Sequence, residues 1–244
     1  MPLILNYQFG YNLEVFEYQH FLVAFGPFLS AILTETIFEG VPAGVTRYIK
    51  RIFNFAINKQ IYLFVLIAPI LLFIIGVIID YIINGKLINF SQIGLTNQIN
   101  STNLIFIILV WLFSYGLGEE GGWRGFLLPL LNKYNSAFKT SIIISFIWIF
   151  WHLPFFFYDQ NFINMGIMLI GWTIGIIFGS ILLSFITINA SYSIVPLIIW
   201  HGIFDFLTSS NISSSSIAAV MSLGVICIAI FIHKKYGNNL QISA

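Results

Sequence analysis

Long apolar runs set the terms on which this chain can fold. They cover roughly residues 20–38, 61–84, 103–131, 139–157, 163–187, 192–208 and 214–233. A helix of about 20 apolar residues crosses a hydrocarbon core about 30 Å thick, and only a backbone that satisfies its own hydrogen bonds survives there. With 59% hydrophobic and 8% charged residues, the chain is not a soluble domain. The expected fold is all-α: a polytopic transmembrane helix bundle of about seven spans. The third run is too long for a simple span, so its last part should protrude or bend. Gly26-Pro27 interrupts the start of the first, and Glu35 sits near its end. Residues 1–19 are apolar but broken by Asn12, Glu14 and Glu17. They read as an interfacial helix or the remnant of another span, which leaves 20–244 as a single bundle.

The beginning of the chain shows no pattern of a removable signal peptide. A net charge of +1 gives no basic footprint for nucleic acid. The single cysteine, Cys227, excludes an internal disulfide or a Cys-based metal cage and reads as a small packed residue. Charge placement orients the spans. Arg47, Lys50, Arg51 and Lys59 follow the first; Arg124, Lys133 and Lys139 follow the glutamate pair of the third; Lys234 and Lys235 follow the seventh. The alternate loops hold Lys86, Asp159 and the polar tract Ser209–Ser216, which reads as an exposed loop. Nine of the ten Lys and Arg residues therefore obey one threading, with the N-terminus outside and the C-terminus cytoplasmic.

Against this background Gly118-Glu119-Glu120-Gly121-Gly122-Trp123-Arg124 stands out, a charged knot inside the third run. Each charge in mid-membrane costs about 2.5–3.5 kcal/mol on insertion scales, so such residues need partners or a function. Glu120 and Arg124 are four apart and can pair on one helix face. That accounts for two charges as a structural ion pair but leaves Glu119, rotated by about 100° and free to face the bundle interior. The neighbouring glycines, Gly116, Gly118, Gly121, Gly122 and Gly125, permit either close helix packing or room for an extended substrate.

Partners lie further on. His152 follows Trp148 by one turn and precedes Pro154, which should kink the helix. His201 and Asp205 are four apart, and an aspartate so placed can fix an imidazole's tautomer. Counted from the basic ends of their spans, the glutamates and His152 lie roughly 18 Å deep and His201 about 15 Å. Similar depth on three helices points to one site, expected to open toward the cytoplasmic half. Gly171, Gly175 and Gly179 read as a helix-packing stripe. Glu35, Glu39 and Asp80 lie near span ends, where the interface would solvate them.

Carboxylates and imidazoles in a low-dielectric site suit water activation and attack on a carbonyl. The same groups could ligate a divalent metal, or relay protons in a transporter. Glu119-Glu120-x-x-x-Arg124, then Trp148-x-x-x-His152, then His201-x-x-x-Asp205, spread over 118–205 of a core at 103–208, resembles the three-motif signature of the CAAX prenyl protease type 2 family. This family, also called Abi or CPBP, includes bacteriocin-immunity and lysostaphin-resistance-like members. The lead-in Phe25–Lys59 also resembles family members. Position 205 is Asp where the family often has Asn, and position 148 is Trp rather than Phe.

The resemblance implies an intramembrane endopeptidase acting on a membrane-associated peptide or lipidated protein. Glu119 with His152 would activate water, His201 with Asp205 would stabilise the oxyanion, and Glu120 with Arg124 would brace the site. No cofactor is required on this reading. If a metal such as zinc is used, Glu119, His152 and His201 would hold it. The alternatives are a non-catalytic immunity or scaffold protein and a proton-coupled transporter.

Overall fold

A computed structural model describes residues 2–10, 19–39, 43–96, 99, 101, 103–208 and 215–242. Among these the regular structure is helical apart from one isolated antiparallel bridge, Thr96 to Ile99. The helices are α1 Pro2–Phe9, α2 Gln19–Val23, α3 Gly26–Glu39, α4 Ala43–Ile52, α5 Lys59–Asn84, α6 Leu104–Leu131, α7 Ala137–Trp151, α8 Gln160–Ile163, α9 Met168–Asn189, α10 Val195–Thr208 and α11 Ser215–Tyr236. Six helical stretches are long and apolar enough to cross a membrane: Phe21–Glu39, Lys59–Asn84, Leu104–Leu131, Ala137–Phe157, Met168–Asn189 and Ser216–Asn239. The chain is a multi-pass membrane protein. Asn12, Glu14, Glu17 and most of the tract Ser209–Ser216 lie outside the described residues.

The sixth expected span differs. α10 has 14 residues, a rise of about 21 Å, and does not match a core of about 30 Å. It starts after Ser191 and Tyr192, which adopt left-handed φ of 54° and 62° and turn the chain back into the bundle. Its buried face includes Pro196, Leu197, Trp200 and His201, so α10 sits among other helices instead of facing lipid along a full span.

Local sequence explains the ends. The Asn58 side chain caps α5 and the Asn103 side chain caps α6, each accepting from a first-turn N–H. Gly85 closes α5 at φ 67°. Ser136 caps α7, and after His152 the chain tightens into a 3₁₀ turn, Leu153–Phe157, around Pro154. The expected break at Gly26-Pro27 is the α2–α3 junction.

α6 is the exception to regular helix. Beyond Trp111 it widens into π-helical stretches, Leu112–Glu119 and Gly121–Leu127, separated by Glu120 alone. π-helix is rare and concentrates at functional sites. Glycine supplies the close approach that this stretch requires. A Cβ on Gly116 would lie 2.7 Å from Ile198 O of α10, and one on Gly118 would lie 2.6 Å from Ala24 O. These glycines therefore serve tight packing, not room for substrate. The Gly171–Gly175–Gly179 stripe is the reverse. An added Cβ meets nothing within 4 Å at Gly171 or Gly179, so it is not a packing seam.

α4 buttresses the same segment. Its Tyr48 hydroxyl donates to Gly121 O at 2.8 Å and Arg51 Nη2 donates to Gly125 O at 2.6 Å. Burial pushes the Tyr48 phenol up, which keeps it a donor. Ile52 O accepts from Ile194 N at 2.9 Å, tying α4 to the start of α10. Asp80 is buried, not interfacially solvated, and accepts from Asn84 at 2.8 Å and from the Ser216 hydroxyl. Cys227 is exposed on α11, not packed inside.

Replacing Gly118 with alanine forces a methyl into carbonyl contact and should destabilise by about 1–3 kcal/mol, as overpacked cores do. Gly171→Ala meets open space and should be neutral or stabilising by up to about 1 kcal/mol. Thermal unfolding of the detergent-solubilised variants separates the two; equal shifts would contradict the close contact.

Candidate active site

Glu119 and Glu120 are adjacent in sequence and both buried, yet they have different partners. Glu119 Oε2 accepts from Trp148 Nε1 at 2.5 Å. Its Oε1 is buried without a hydrogen-bond partner among the described residues. Glu120 Oε1 is shared: Arg124 Nη1 donates to it at 3.0 Å, and His201 Nδ1 lies 2.8 Å away. His201 Nε2 in turn lies 3.3 Å from Asp205 Oδ2. A line of charge thus runs Arg124–Glu120–His201–Asp205 and joins α6 to α10. The two i,i+4 spacings build each end of it; the middle contact comes from helix packing.

Ionised carboxylates only accept hydrogen bonds, and a neutral imidazole has one N–H. With both ring nitrogens of His201 facing carboxylates, the arrangement holds one extra proton, on the ring or on Asp205. Asp205 thus lies within reach of the imidazole to which its spacing points.

Trp148 joins the two halves of the site. Besides holding Glu119, its ring faces the Arg124 guanidinium at 4.6 Å and stands edge-on to His201 at 5.4 Å. His152 Nδ1 is 2.7 Å from Trp148 O. A carbonyl can only accept, so Nδ1 carries the proton and the lone pair of the neutral ring is on Nε2. Phe162 and Trp172 lie against the His152 ring with centroids at 5.9 and 5.3 Å.

A cavity of about 510 Å³ collects these groups. Glu119, Trp148, His152, His201 and Asp205 line it; Glu120 and Arg124 do not and lie behind the wall. Of the six residues singled out in the sequence, four reach the cavity and two support them. Sequence reasoning missed Trp148 as a hydrogen-bond donor, and missed Tyr115, Asp159 and Trp172 as lining residues. A tryptophan one turn before His152 was the available signal. Asp159 is buried and caps α8, its Oδ1 accepting from Asn161 N at 2.9 Å. The neighbouring Tyr158 phenol is pushed up by burial and by that carboxylate, and stays neutral.

Part of the cavity wall comes from connections at the end of the bundle away from the basic loops. Its lining includes Thr96, Asp159, Asn161 and Thr208, all at the opposite end.

Whether the donors suit a metal can be tested on their geometry. No group of three or more His, Cys, Asp or Glu side chains is arranged as a ligand set among the described residues. His201 has both ring nitrogens turned to carboxylates, so it has no lone pair directed at the cavity. The set Glu119, His152 and His201 fits a metal poorly.

Residues 101–207 match the family model described as Type II CAAX prenyl endopeptidase Rce1-like. A curated relative from Methanococcus maripaludis, CAAX prenyl protease 2, is 27% identical over 161 residues. That match covers 63% of this chain and 58% of the relative, so the chain spans less than two thirds of that protein's length. The matches support the CAAX prenyl protease type 2 (CPBP) resemblance carried by the three motifs.

The different partners of the two glutamates predict different costs. Glu120→Ala strands Arg124 and His201 without their shared acceptor and should destabilise by about 3–5 kcal/mol, as broken buried pairs do. Glu119→Gln keeps an oxygen for the Trp148 N–H and should cost under about 1.5 kcal/mol. Denaturation of both variants in detergent checks the order, and a reversed order would contradict the assigned contacts.

Proposed function

We propose that the chain is an intramembrane endopeptidase that hydrolyses a peptide bond in a membrane-associated peptide or lipidated protein. The observation that carries this reading is the asymmetry of Glu119. One oxygen is pinned by Trp148 and the other has no partner among the described residues, in a cavity shared with His152, His201 and Asp205. A carboxylate held in that way can orient a water and accept its proton. The name of the archaeal relative, a prenyl protease, supports the same class of reaction.

In the proposed sequence Glu119 takes a proton from the water, and His152, through Nε2, helps to align it. The hydroxide adds to the substrate carbonyl carbon. Negative charge then develops on the carbonyl oxygen, where the Nε2–H of His201, with the extra proton on its ring, is a donor at the cavity wall. Its contact to Asp205 is long, at 3.3 Å, so donation can shift from Asp205 to the oxyanion. Collapse breaks the C–N bond, and protonated Glu119 returns its proton to the leaving amine. Glu120 and Arg124 touch neither water nor substrate; they hold His201 in place. No step requires a metal, in keeping with the commitment of both His201 nitrogens.

A scaffold or immunity role would use the Arg124–Glu120–His201–Asp205 line for helix cohesion, but it leaves Glu119 and the cavity without a role. Glu119→Gln and His152→Ala should each lower peptide hydrolysis by about 10²–10⁴-fold while thermal stability is nearly kept. Parallel loss of stability and activity would favour the scaffold. Purified active protein should contain substoichiometric zinc and keep its activity after chelation. A tightly bound stoichiometric ion whose removal stops cleavage would overturn the metal-free part of the proposal.

A further inference from the structure

The chemistry proposed for the site leaves its oxyanion with little help from α10. With the extra proton on the His201 ring, Nε2–H is one donor, but Asp205 beside it is then an ionised carboxylate that only accepts. Negative charge developing near Asp205 is repelled by it, and an oxyanion hole is built from several donors aimed at that charge. Trp148 Nε1 is committed to Glu119, and the N–H of His152 to Trp148 O. A second donor has to come from elsewhere on the cavity wall.

α6 supplies one. Tyr115 lines the cavity together with Glu119, His201 and Asp205. It precedes Glu119 by four residues within the π-helical stretch, close to one turn, so the two side chains share a helix face. Its hydroxyl does not donate to Glu119 Oε1, which has no partner among the described residues. The ring is held on two sides. It stacks on Trp111 with centroids 5.2 Å apart, and Phe21 stands edge-on to both rings at 5.9 Å. Trp111 is itself anchored, its Nε1 donating to Gly94 O at 2.9 Å. A phenol on so fixed a ring keeps its place while the chemistry proceeds, and that preorganisation is what stabilises a developing charge.

We propose that Tyr115 is a further catalytic residue, its hydroxyl donating a hydrogen bond to the carbonyl oxygen of the scissile peptide as the tetrahedral adduct forms. This rests on the peptidase reading of the site. As the water oxygen bonds to the carbonyl carbon, the C=O π pair moves onto oxygen, where His201 and Tyr115 both donate to it. On collapse that pair re-forms the C=O bond, the C–N bond breaks, and the leaving amine takes its proton from Glu119. Tyr115 keeps its own proton throughout. A phenylalanine here preserves the aromatic cluster and loses the donor.

Kinetics of the full chain in detergent test it, on a quenched fluorogenic peptide with a prenylated cysteine, chosen because the archaeal relative is a prenyl protease. Tyr115→Phe should lower kcat on the order of 10²-fold, as loss of an oxyanion donor does, with KM nearly unchanged. Its melting temperature should fall by no more than about 4 °C. A peptidyl difluoromethyl ketone, whose hydrate mimics the tetrahedral adduct, should bind this variant about tenfold more weakly. Tyr134→Phe, at an exposed tyrosine outside the cavity, should leave every one of these readouts unchanged. Unaltered kcat and ketone affinity in Tyr115→Phe, or a rise in KM alone, would overturn the assignment. Should Tyr115→Phe melt far lower, Tyr115→fluorotyrosine decides: a more acidic donor of nearly the same size should change kcat several-fold, and an unchanged kcat would overturn the role. A wild-type chain that neither cuts the peptide nor binds the ketone would remove the peptidase reading and this role with it. Cleavage by the wild type with full kcat in Tyr115→Phe removes the role alone.

Discussion

A carboxylate oxygen shared by a guanidinium and an imidazole is the contact on which this structure turns. Glu120 and Arg124 are completely buried, and an isolated charge in such surroundings carries a heavy desolvation penalty. Arg124 alone would neutralise Glu120. Bringing His201 to the same oxygen makes the pair a joint between α6 and α10, and the position of His201 is then set by an electrostatic requirement. The joint needs close backbones. Gly116 lets α6 reach Ile198 of α10, and Gly118 and Gly122 let it reach the α2–α3 junction at Ala24 and Pro27. The widened π-helical turns leave carbonyls to be satisfied from outside, and Tyr48 and Arg51 of α4 do so.

Fixing Glu120 leaves Glu119 available. Two adjacent carboxylates cannot face the same partner on one helix, and burial disfavours two charges side by side. Trp148 resolves the conflict by donating one N–H to Glu119 while its ring face receives Arg124. A phenylalanine at this position would keep the ring contact and lose the hydrogen bond. The tryptophan is thus more than an aromatic filler: it fixes the orientation of the carboxylate proposed to act on water.

How much of this was legible in the sequence depended on whether the information was local. The spans were readable because hydrophobic length is a direct property of composition, and the boundaries of α5 and α11 follow Asn, Gly and Lys punctuation. Glu120–Arg124 and His201–Asp205 were readable because four residues is one helical turn. The Glu120–His201 and Trp148–Glu119 contacts bridge 81 and 29 residues, and no periodicity announces them. The π-helical register of α6 was hidden because side-chain pattern does not report backbone hydrogen-bond spacing. Glycine roles were left open at Gly116 and misassigned at Gly171 for the same reason. A small residue permits close packing or open space, and only the neighbour decides which: Ile198 for Gly116, nothing for Gly171. Asp80 seemed a solvated span end because its partner Ser216 is 136 residues away.

Depth was the subtler reading, because it rests on treating every apolar run as a full span. Measured from the basic end, the motif residues share a level, which correctly groups them. The same numbers place them near the middle of a core of about 30 Å, where the 14-residue α10 presents His201. A hydrolase in a membrane must admit water to charged groups without exposing them to lipid. Here the short α10 and the glycine face of α9 leave a cavity on one side, while the glycine-packed turns of α6 close the other. Close packing at Gly116 and Gly118 and open space at Gly179 are then two parts of one arrangement, a sealed floor beneath Glu119 and an open wall above it.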